Sequence, residues 1–226
     1  MRHRLCALLL LALLLSPGVA RAEGRALVDP TQPSRRVVVV PLGKGDDALA
    51  RITAEAIEKA FDLEVAITAP VPLPKTAWYE PRKRWRAEKL LTYLAALDVG
   101  PAWKVLGMTT RPISTTKGDR YDWGIAGLAS LDGRAGVLTS FLFRRFRAKA
   151  PERFRRYVEN LVLHELGHNL GLDHCPRESC IMADAKGNAI RAARLSTNRY
   201  CDACAKALAP WLRLEGFAAP LQSRGQ

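Results

Sequence analysis

The order of apolar and polar positions predicts a strand, a helix and a second strand at the start of the chain. The run Arg36 to Leu42 is apolar and rich in valine, which is typical of a strand buried on both faces. Asp46 and Asp47 are suited to begin a helix that extends to about Phe61. Asp62 to Val71 is a second strand candidate, and the prolines that follow it interrupt regular structure.

The middle of the chain predicts one helix and three strands. The apolar positions of Trp78 to Leu97 suit a helix beginning near Pro81. Beyond it we expect a strand at Lys104 to Thr109, a polar loop at Thr110 to Arg120, and strands at Trp123 to Ser130 and Arg134 to Phe143.

The last strong pattern is a long helix. Pro151 suits its first turn, and apolar residues recur at intervals of three and four to about Leu170. The whole order of strands and helices predicts an α+β fold, similar to an α/β sandwich, in which helices pack on a mixed sheet.

The N-terminus has the features of a secretory signal peptide. Arg2 and Arg4 precede an apolar run from Leu5 to Leu15, and a small-x-small cleavage site ends at Ala22. This run is shorter than the ~20 residues that span a bilayer, which disfavours an uncleaved anchor. We therefore expect export to the periplasm or the extracellular space, no transmembrane span in the mature chain, and a single domain at residues 23–226.

The net charge is strongly positive. The formal charge of the whole chain is +13, and removing the three arginines of residues 1–22 leaves +10. Two basic runs carry much of the excess: Arg82, Lys83, Arg84, Arg86 and Lys89, then Arg144, Arg145, Arg147, Lys149, Arg153, Arg155 and Arg156. Each suits acidic peptides or an anionic envelope surface, or is simply a solvated helix face. Export disfavours nucleic acid as a partner.

Every histidine beyond the signal peptide lies in one motif, H-E-x-x-H-x-x-G-x-x-H. The chain has four histidines, and His3 is the only one elsewhere. His164 and His168 are four residues apart on the long helix, so both rings leave the same helix face. Gly171 can end the helix in a left-handed turn and so return His174 as a third ligand. Three protein ligands leave one position open, which is typical of catalytic zinc.

Glu165 follows the first histidine directly and is placed to act as a general base. Zinc lowers the pKa of a bound water and polarises a peptide carbonyl. Glu165 would take the water proton and pass it to the leaving amine. Met182, the first methionine beyond the motif, is the candidate for a methionine turn beneath the metal, or else an ordinary core residue.

The four cysteines outside the signal peptide follow the motif closely. Cys175 and Cys180 form one pair, and Cys201 and Cys204 form a CxxC pair. Their spacing suits a closed zinc site of four thiolates. The oxidising compartment implied by export instead suits two disulfides. The spacing alone leaves both possibilities open.

Taken together, the segment HELGHNLGLDHC, Cys180-x-Met182 and the later CxxC resemble the archaemetzincins, zinc peptidases of the metzincin clan. The resemblance implies a compact mixed-sheet fold with an active-site helix and a cysteine-rich C-terminal part, with the boundary near residue 171 and the lower part ending near residue 215. It implies a catalytic zinc and favours a second, structural zinc over disulfides. It also implies a substrate-binding strand before the active-site helix, formed by Val137, Leu138, Thr139, Ser140 and Phe141.

The sequence therefore predicts an exported zinc peptidase that acts on peptides or proteins. A zinc-stabilised module that binds anionic partners without hydrolysing peptides is the alternative. The complete histidine motif favours the peptidase, because a binding module needs no open three-histidine site beside a glutamate.

Overall fold

The computed structural model describes residues 35–44 and 46–213, so the predicted signal peptide lies outside the described chain. The described residues form nine strands and six α-helices. The strands are β1 Arg36–Pro41, β2 Glu64–Ile67, β3 Trp78–Tyr79, β4 Arg84–Arg86, β5 Lys104–Thr109, β6 Ile113–Lys117, β7 Arg120–Ile125, β8 Gly127–Ala129 and β9 Ala135–Thr139. The helices are α1 Asp47–Ala60, α2 Ala87–Ala96, α3 Phe146–Lys149, α4 Pro151–Asn169, α5 Ala189–Leu195 and α6 Asp202–Leu208.

The main sheet has the strand order β2-β1-β5-β9-β8. Its first four strands are parallel, and β8 runs antiparallel to β9 at one edge. Helices cover both faces. Val37 and Val39 pack with α1 and α4 on one face, whereas Val38 and Val40 pack with α2 on the other. This double burial explains why β1 is continuously apolar, and it confirms the predicted α+β fold with a mixed sheet.

The elements nearest the centre of the molecule match their predictions. Strands β1 and β5 and helices α1 and α4 lie where the sequence placed them. The side chain of Asp46 begins α1 by accepting a hydrogen bond of 3.1 Å from the amide of Leu49. None of the described helices is long and apolar enough to cross a membrane.

A second sheet, absent from the predictions, has the strand order β3-β4-β6-β7. The segment Thr110 to Arg120, predicted as a loop, contains β6 and the start of β7. These strands are partly exposed, so their outward positions are polar and the sequence resembles a loop. Gly118, with φ +54°, lies in the turn that joins them.

The predicted helix at Trp78 to Leu97 begins later than expected. Trp78 pairs with Trp85 across the β3–β4 hairpin, with ring centroids 5.1 Å apart. Pro81 lies in a short 3-10 helix between these strands, and α2 begins only at Ala87. The prediction was wrong for residues 78–86 because aromatic residues at helical intervals also suit a short hairpin.

Candidate metal centres

Helix α4 and the turn after it bring the three histidines of the motif together. The Nε2 atoms of His164 and His168 are 3.1 Å apart. The helix ends at Asn169, and Gly171 then adopts φ +92°. This left-handed turn returns the ring of His174 to 5.3 Å from that of His164, measured between centroids. One ligand atom from each histidine lies within 4.8 Å of the other two.

Two backbone carbonyls fix the orientation of the histidine rings on α4. The Nδ1 atom of His164 lies 2.8 Å from the carbonyl oxygen of Ile181, and that of His168 lies 2.7 Å from the carbonyl of Leu172. A carbonyl only accepts hydrogen bonds, so each Nδ1 carries the proton and each Nε2 presents a lone pair. Two lone pairs 3.1 Å apart repel each other unless a cation lies between them.

The histidines also have the charge state that a metal ligand needs. Burial, together with the nearby His168, lowers the pKa of His164 to about 4. Burial also lowers the pKa of His168. Both rings are therefore neutral near pH 7. Zinc–nitrogen bonds in a tetrahedral site place neighbouring nitrogens about 3.3 Å apart, so these residues fit zinc.

Glu165 is buried beside the histidines, and it lies against strand β8. Its side chain lines the same cavity as all three histidines, and the residue is only 4 % exposed. Burial raises the pKa of Glu165 to about 8. A Cβ atom added to Gly127 would lie 2.2 Å from its Oε1 atom. A side chain at position 127 would therefore collide with the Glu165 carboxylate.

Met182 lies beneath the histidine helix. It is fully buried, and its sulfur would be 2.5 Å from a Cβ atom at Gly167, the residue before His168. The carbonyl of Met182 accepts a hydrogen bond of 2.7 Å from the amide of Cys175. The methionine segment therefore supports α4 from below and is tied to the start of the cysteine cluster.

The four cysteines form a second cluster. Their sulfur atoms lie within 4.8 Å of one another, and all four thiols are free. The sulfurs of Cys175 and Cys201 are 3.7 Å apart. This separation agrees with the about 3.8 Å between neighbouring sulfurs in a tetrahedral zinc–thiolate site. Burial opposes ionisation of Cys201, but hydrogen bonds from the Cys204 amide and the neighbouring thiols lower its pKa to about 7. The cluster fits a closed zinc site.

The cleft in front of the histidines has a volume of about 500 Å³. Strand β8 and Trp123 contribute to its lining, as do residues from Ala183 to Ala193 and the α4 side chains Asn160 and Leu161. Much of the lining is apolar. Asp173 and Asp184 are the acidic residues that line this cleft besides Glu165.

The predicted substrate strand, Val137, Leu138, Thr139, Ser140 and Phe141, is wrong. Its first three residues belong to β9, which pairs with β5 on one side and β8 on the other. Phe141 begins a 3-10 helix beyond the strand. Adding a peptide requires an unpaired strand edge, and β9 has none. The edge strand of the main sheet that lines the cleft is β8.

The end of α4 is joined to the β8–β9 hairpin by contacts that the sequence analysis missed. The side-chain amide of Asn169 donates to the carbonyls of Ser130 and Ala135, both at 2.9 Å. The carbonyl of His168 accepts a hydrogen bond of 2.9 Å from the amide of Asp132. Lys104 donates to the Asn169 carbonyl from the centre of the sheet. No sequence pattern predicts these hydrogen-bond partners. A glycine within a strand, such as Gly127, does indicate that another group packs closely against the backbone.

Comparison with known proteins agrees with this geometry. The model of peptidase family M54 matches residues 73–210. The archaemetzincin of Haloarcula marismortui is 28% identical over 152 residues, which cover 65% of this chain and 84% of that protein. The archaemetzincin of Methanopyrus kandleri is 31% identical over 139 residues, which cover 60% of this chain and 72% of that protein.

Solved structures share the fold. The crystal structure of the Methanopyrus kandleri archaemetzincin covers 81% of this chain and 98% of its own, with a TM-score of 0.67 and 24% identity. That of the Archaeoglobus fulgidus archaemetzincin, complexed with malonate, covers 76% of this chain and 99% of its own, with a TM-score of 0.64 and 24% identity. The histidine cleft and the family match together lead to one conclusion: the chain belongs to the archaemetzincins, peptidase family M54, and is a zinc metallopeptidase.

Proposed function

We propose that this archaemetzincin hydrolyses peptide bonds with His164, His168 and His174 as ligands of the catalytic zinc and Glu165 as general base. One observation carries the proposal. The three histidines and the buried glutamate line the same cleft, and an edge strand lies beside them. Zinc held at this position would polarise the peptide carbonyl and make a water molecule more acidic.

Glu165 has the properties of a base that must also return its proton. It lies in the cleft without a described hydrogen-bond partner, and burial raises the pKa of Glu165 to about 8. From its position beside the three histidines, the ionised carboxylate can take a proton from the attacking water and then deliver it to the amine of the leaving peptide. Gly127 leaves free the space that the carboxylate occupies during these transfers.

Strand β8 is the site at which we propose that the substrate binds. Among the described strands it pairs only with β9, so the other edge of Gly127–Ala129 offers backbone amide and carbonyl groups to an extended peptide. The same strand touches Glu165 through Gly127. A peptide bound along β8 therefore passes directly in front of the base.

We also propose that Cys175, Cys180, Cys201 and Cys204 hold a second, structural zinc. The separation of 3.7 Å between the sulfurs of Cys175 and Cys201 suits shared ligation by one ion, whereas a disulfide requires about 2.0 Å. Because the Cys175 amide bonds to Met182, an ordered cluster also fixes the segment that carries Met182 and the Ile181 carbonyl. The second zinc would stabilise the first site indirectly.

The predicted signal peptide leads us to propose that the mature enzyme is exported. Zinc must then occupy the cysteine cluster before the thiols are oxidised. Protein recovered from the exported fraction can be tested by metal analysis together with thiol titration. Two zinc ions and four zinc-protected thiols are expected, whereas one zinc and two disulfides would contradict the second site.

The two basic runs do not favour the alternative function, a binding module for anionic partners. Many of their charges contact groups within the protein. Arg86 is buried, Arg147 pairs with Asp46, and Arg155 pairs with Glu55 and Glu159. The structure thus gives no broad uniform face of free cations in these two segments.

Replacing Glu165 by Gln tests the peptidase mechanism. The change keeps the shape of the side chain and removes the base, so peptide hydrolysis should fall by roughly a thousandfold or more with zinc content unchanged. Glu152→Gln, in the first turn of the same helix, is the matched control and should retain activity. If Glu165→Gln hydrolysed a peptide library as fast as the unaltered enzyme, the assignment of the base would be wrong.

A further inference from the structure

A second cavity lies beside the active-site cleft and is lined by arginine. It has a volume of about 670 Å³ and shares Trp123, Gly124 and Leu142 with the cleft. Arg82, Arg84 and Arg120 line it. We call this cavity the arginine groove. Because the two spaces have walls in common, a peptide that lies in the cleft can extend into the groove.

The arginine groove carries an excess of positive charge. Asp122 is the only acidic residue that lines it. Its carboxylate lies 3.0 Å from Arg84 and 3.6 Å from Arg82, and its side chain is only 9% exposed. Arg120 forms no ion pair with a carboxylate in the described chain and instead stacks on the Trp123 ring, 5.1 Å from the centroid. The groove thus contains three guanidinium groups and one carboxylate, and that carboxylate pairs with two of them.

Positive charge continues from the groove towards the cleft. The Lys117 ammonium lies 5.5 Å from the centroid of the same Trp123 ring, and Lys117 lines the cleft. The acidic residues Asp173 and Asp184 line the cleft near the histidines and do not line the groove. The cleft therefore contains Asp173 and Asp184, with Lys117 near Asp184, whereas the arginines line only the groove.

The sheet that carries these cations is held in place by buried polar contacts. Arg86 is 3% exposed and donates hydrogen bonds of 2.7 Å to the Thr116 hydroxyl and 2.9 Å to Glu88. It also donates to the carbonyl of Tyr121 and stacks on the ring of that residue at 3.9 Å. The β6–β7 hairpin is thereby fixed to β4, which distinguishes the groove from a loose solvated charge run.

We propose that the arginine groove binds a carboxylate of the peptide substrate, a few residues from the bond that is cleaved. Guanidinium groups recognise carboxylates through paired hydrogen bonds, which suits this site. The carboxylate belongs either to an aspartate or glutamate side chain or to the C-terminus of the substrate. The first source gives an endopeptidase with a preference for acidic sequences, and the second gives an enzyme that trims chain ends. The proposal rests on the peptidase function given above.

Three matched peptides separate the two sources. One is neutral and amidated, one is amidated with a glutamate scanned along both sides of the cleavage site, and one is neutral with a free C-terminus. The unaltered enzyme should show a kcat/KM roughly ten- to a hundredfold higher for one of the two carboxylate-bearing peptides than for the neutral one. Equal kcat/KM values for all three peptides would contradict carboxylate binding by the groove and leave the peptidase function intact.

Variants then connect the preference to the groove. Arg82→Ala combined with Arg120→Ala should remove most of the preference through a higher KM, with the neutral peptide cleaved as before. Arg120→Lys should retain part of it, and Arg120→Glu should shift the preference towards lysine-bearing peptides. Arg51→Ala, on the exposed side of α1, is the matched control and should change nothing. An equal loss on the neutral peptide would contradict the proposal.

Binding to the inactive Glu165→Gln variant separates failure of the groove from failure of the peptidase. Fluorescence anisotropy should show that labelled carboxylate-bearing peptide binds more tightly than neutral peptide, and that salt and the double arginine variant weaken this binding. Arginine-dependent binding without cleavage by the unaltered enzyme would reject the peptidase function and keep the groove. Binding indifferent to both arginines and salt would reject the groove.

Discussion

Gly127 and Glu165 occupy adjoining space so closely that any side chain at position 127 would displace the Glu165 carboxylate. A Cβ atom there would lie 2.2 Å from Oε1 and 2.7 Å from Cγ of Glu165. The edge strand of the main sheet and the proposed general base are thus matched in shape. Because Gly127 has no side chain, this strand leaves room for the carboxylate.

Gly127→Ala should therefore displace the Glu165 carboxylate and lower kcat by roughly a hundredfold, because small misplacements of catalytic groups have effects of this size. Zinc content and the circular dichroism spectrum should stay unchanged. Ala129→Gly on the same strand is the control, and it should cost about 0.5–1 kcal/mol of stability with activity kept. Full activity in Gly127→Ala would show that Glu165 does not act from this position.

Asn169→Ala should destabilise the fold and weaken substrate binding. The substitution removes one of the two donors to each of the carbonyls of Ser130 and Ala135, at a cost of about 1–3 kcal/mol in the free energy of unfolding. Since the hairpin that carries β8 loses its tie to α4, we also expect KM to rise. Urea unfolding and steady-state kinetics measure the two effects. Asn188→Ala, at the start of α5, removes only a helix cap and should cost about 1 kcal/mol, which gives a reference for the loss of stability.

The ion pair between Asp46 and Arg147 should make stability fall in acid. Its hydrogen bond from Arg147 lowers the pKa of Asp46. The folded pKa is thus below the unfolded value of about 3.9, so the pair stabilises the protein above that pH and its contribution is lost as pH falls through the folded value.

Asp46→Asn isolates this charge effect, because asparagine also caps helices. The unaltered protein should be more stable than the variant by about 1 kcal/mol at pH 6, since Arg147 is 46% exposed and solvent screens the pair. The difference should shrink as pH falls below about 3.9 and should approach zero once the pH is below the folded pKa of Asp46. Asp119→Asn, in the exposed β6–β7 turn, is the control. A difference that does not depend on pH would contradict the assignment.

Cys204→Ser should remove the second zinc and leave the first. Loss of one thiolate opens the closed site, so zinc content should fall from about two ions per chain to about one. Peptidase activity should decrease without vanishing, because the cluster supports Met182 and the Ile181 carbonyl only indirectly. Metal analysis and peptide hydrolysis provide the measurements. Unchanged zinc content with a newly reactive thiol would instead point to disulfides.

The sequence was informative wherever one periodic pattern coincided with burial. Strand β1 is buried on both faces and α4 carries one apolar stripe, so each follows from its sequence alone. The residues of the histidine motif were found because helix geometry fixes where positions 164 and 168 point. The ending of α4 at a left-handed glycine follows from the same local rules.

What the sequence did not predict depends on contacts between distant segments. Strand β9 was identified, but its place between β5 and β8 is a matter of strand order, which no local pattern encodes. The β6–β7 hairpin was missed because a half-exposed sheet has polar positions like those of a loop. The hydrogen-bond partners of Asn169 and Lys104 could not be predicted either. They are backbone carbonyls, which every residue type carries.

The hydrogen bond from the Asp132 amide to the His168 carbonyl restricts movement of the β8–β9 hairpin relative to α4. Together with the hydrogen bonds of Asn169, it fixes the metal-binding end of α4 to the β8–β9 hairpin, so that the two form one rigid wall of the cleft. If a peptide binds along β8 as proposed, the distance between Glu165 and the peptide backbone is then the same for every substrate. The segment from Ala183 to Ala193, which also lines the cleft, is then the part that adjusts to substrate side chains of different size. Variation in that segment should change which side chains are accepted while leaving the chemistry of bond cleavage intact.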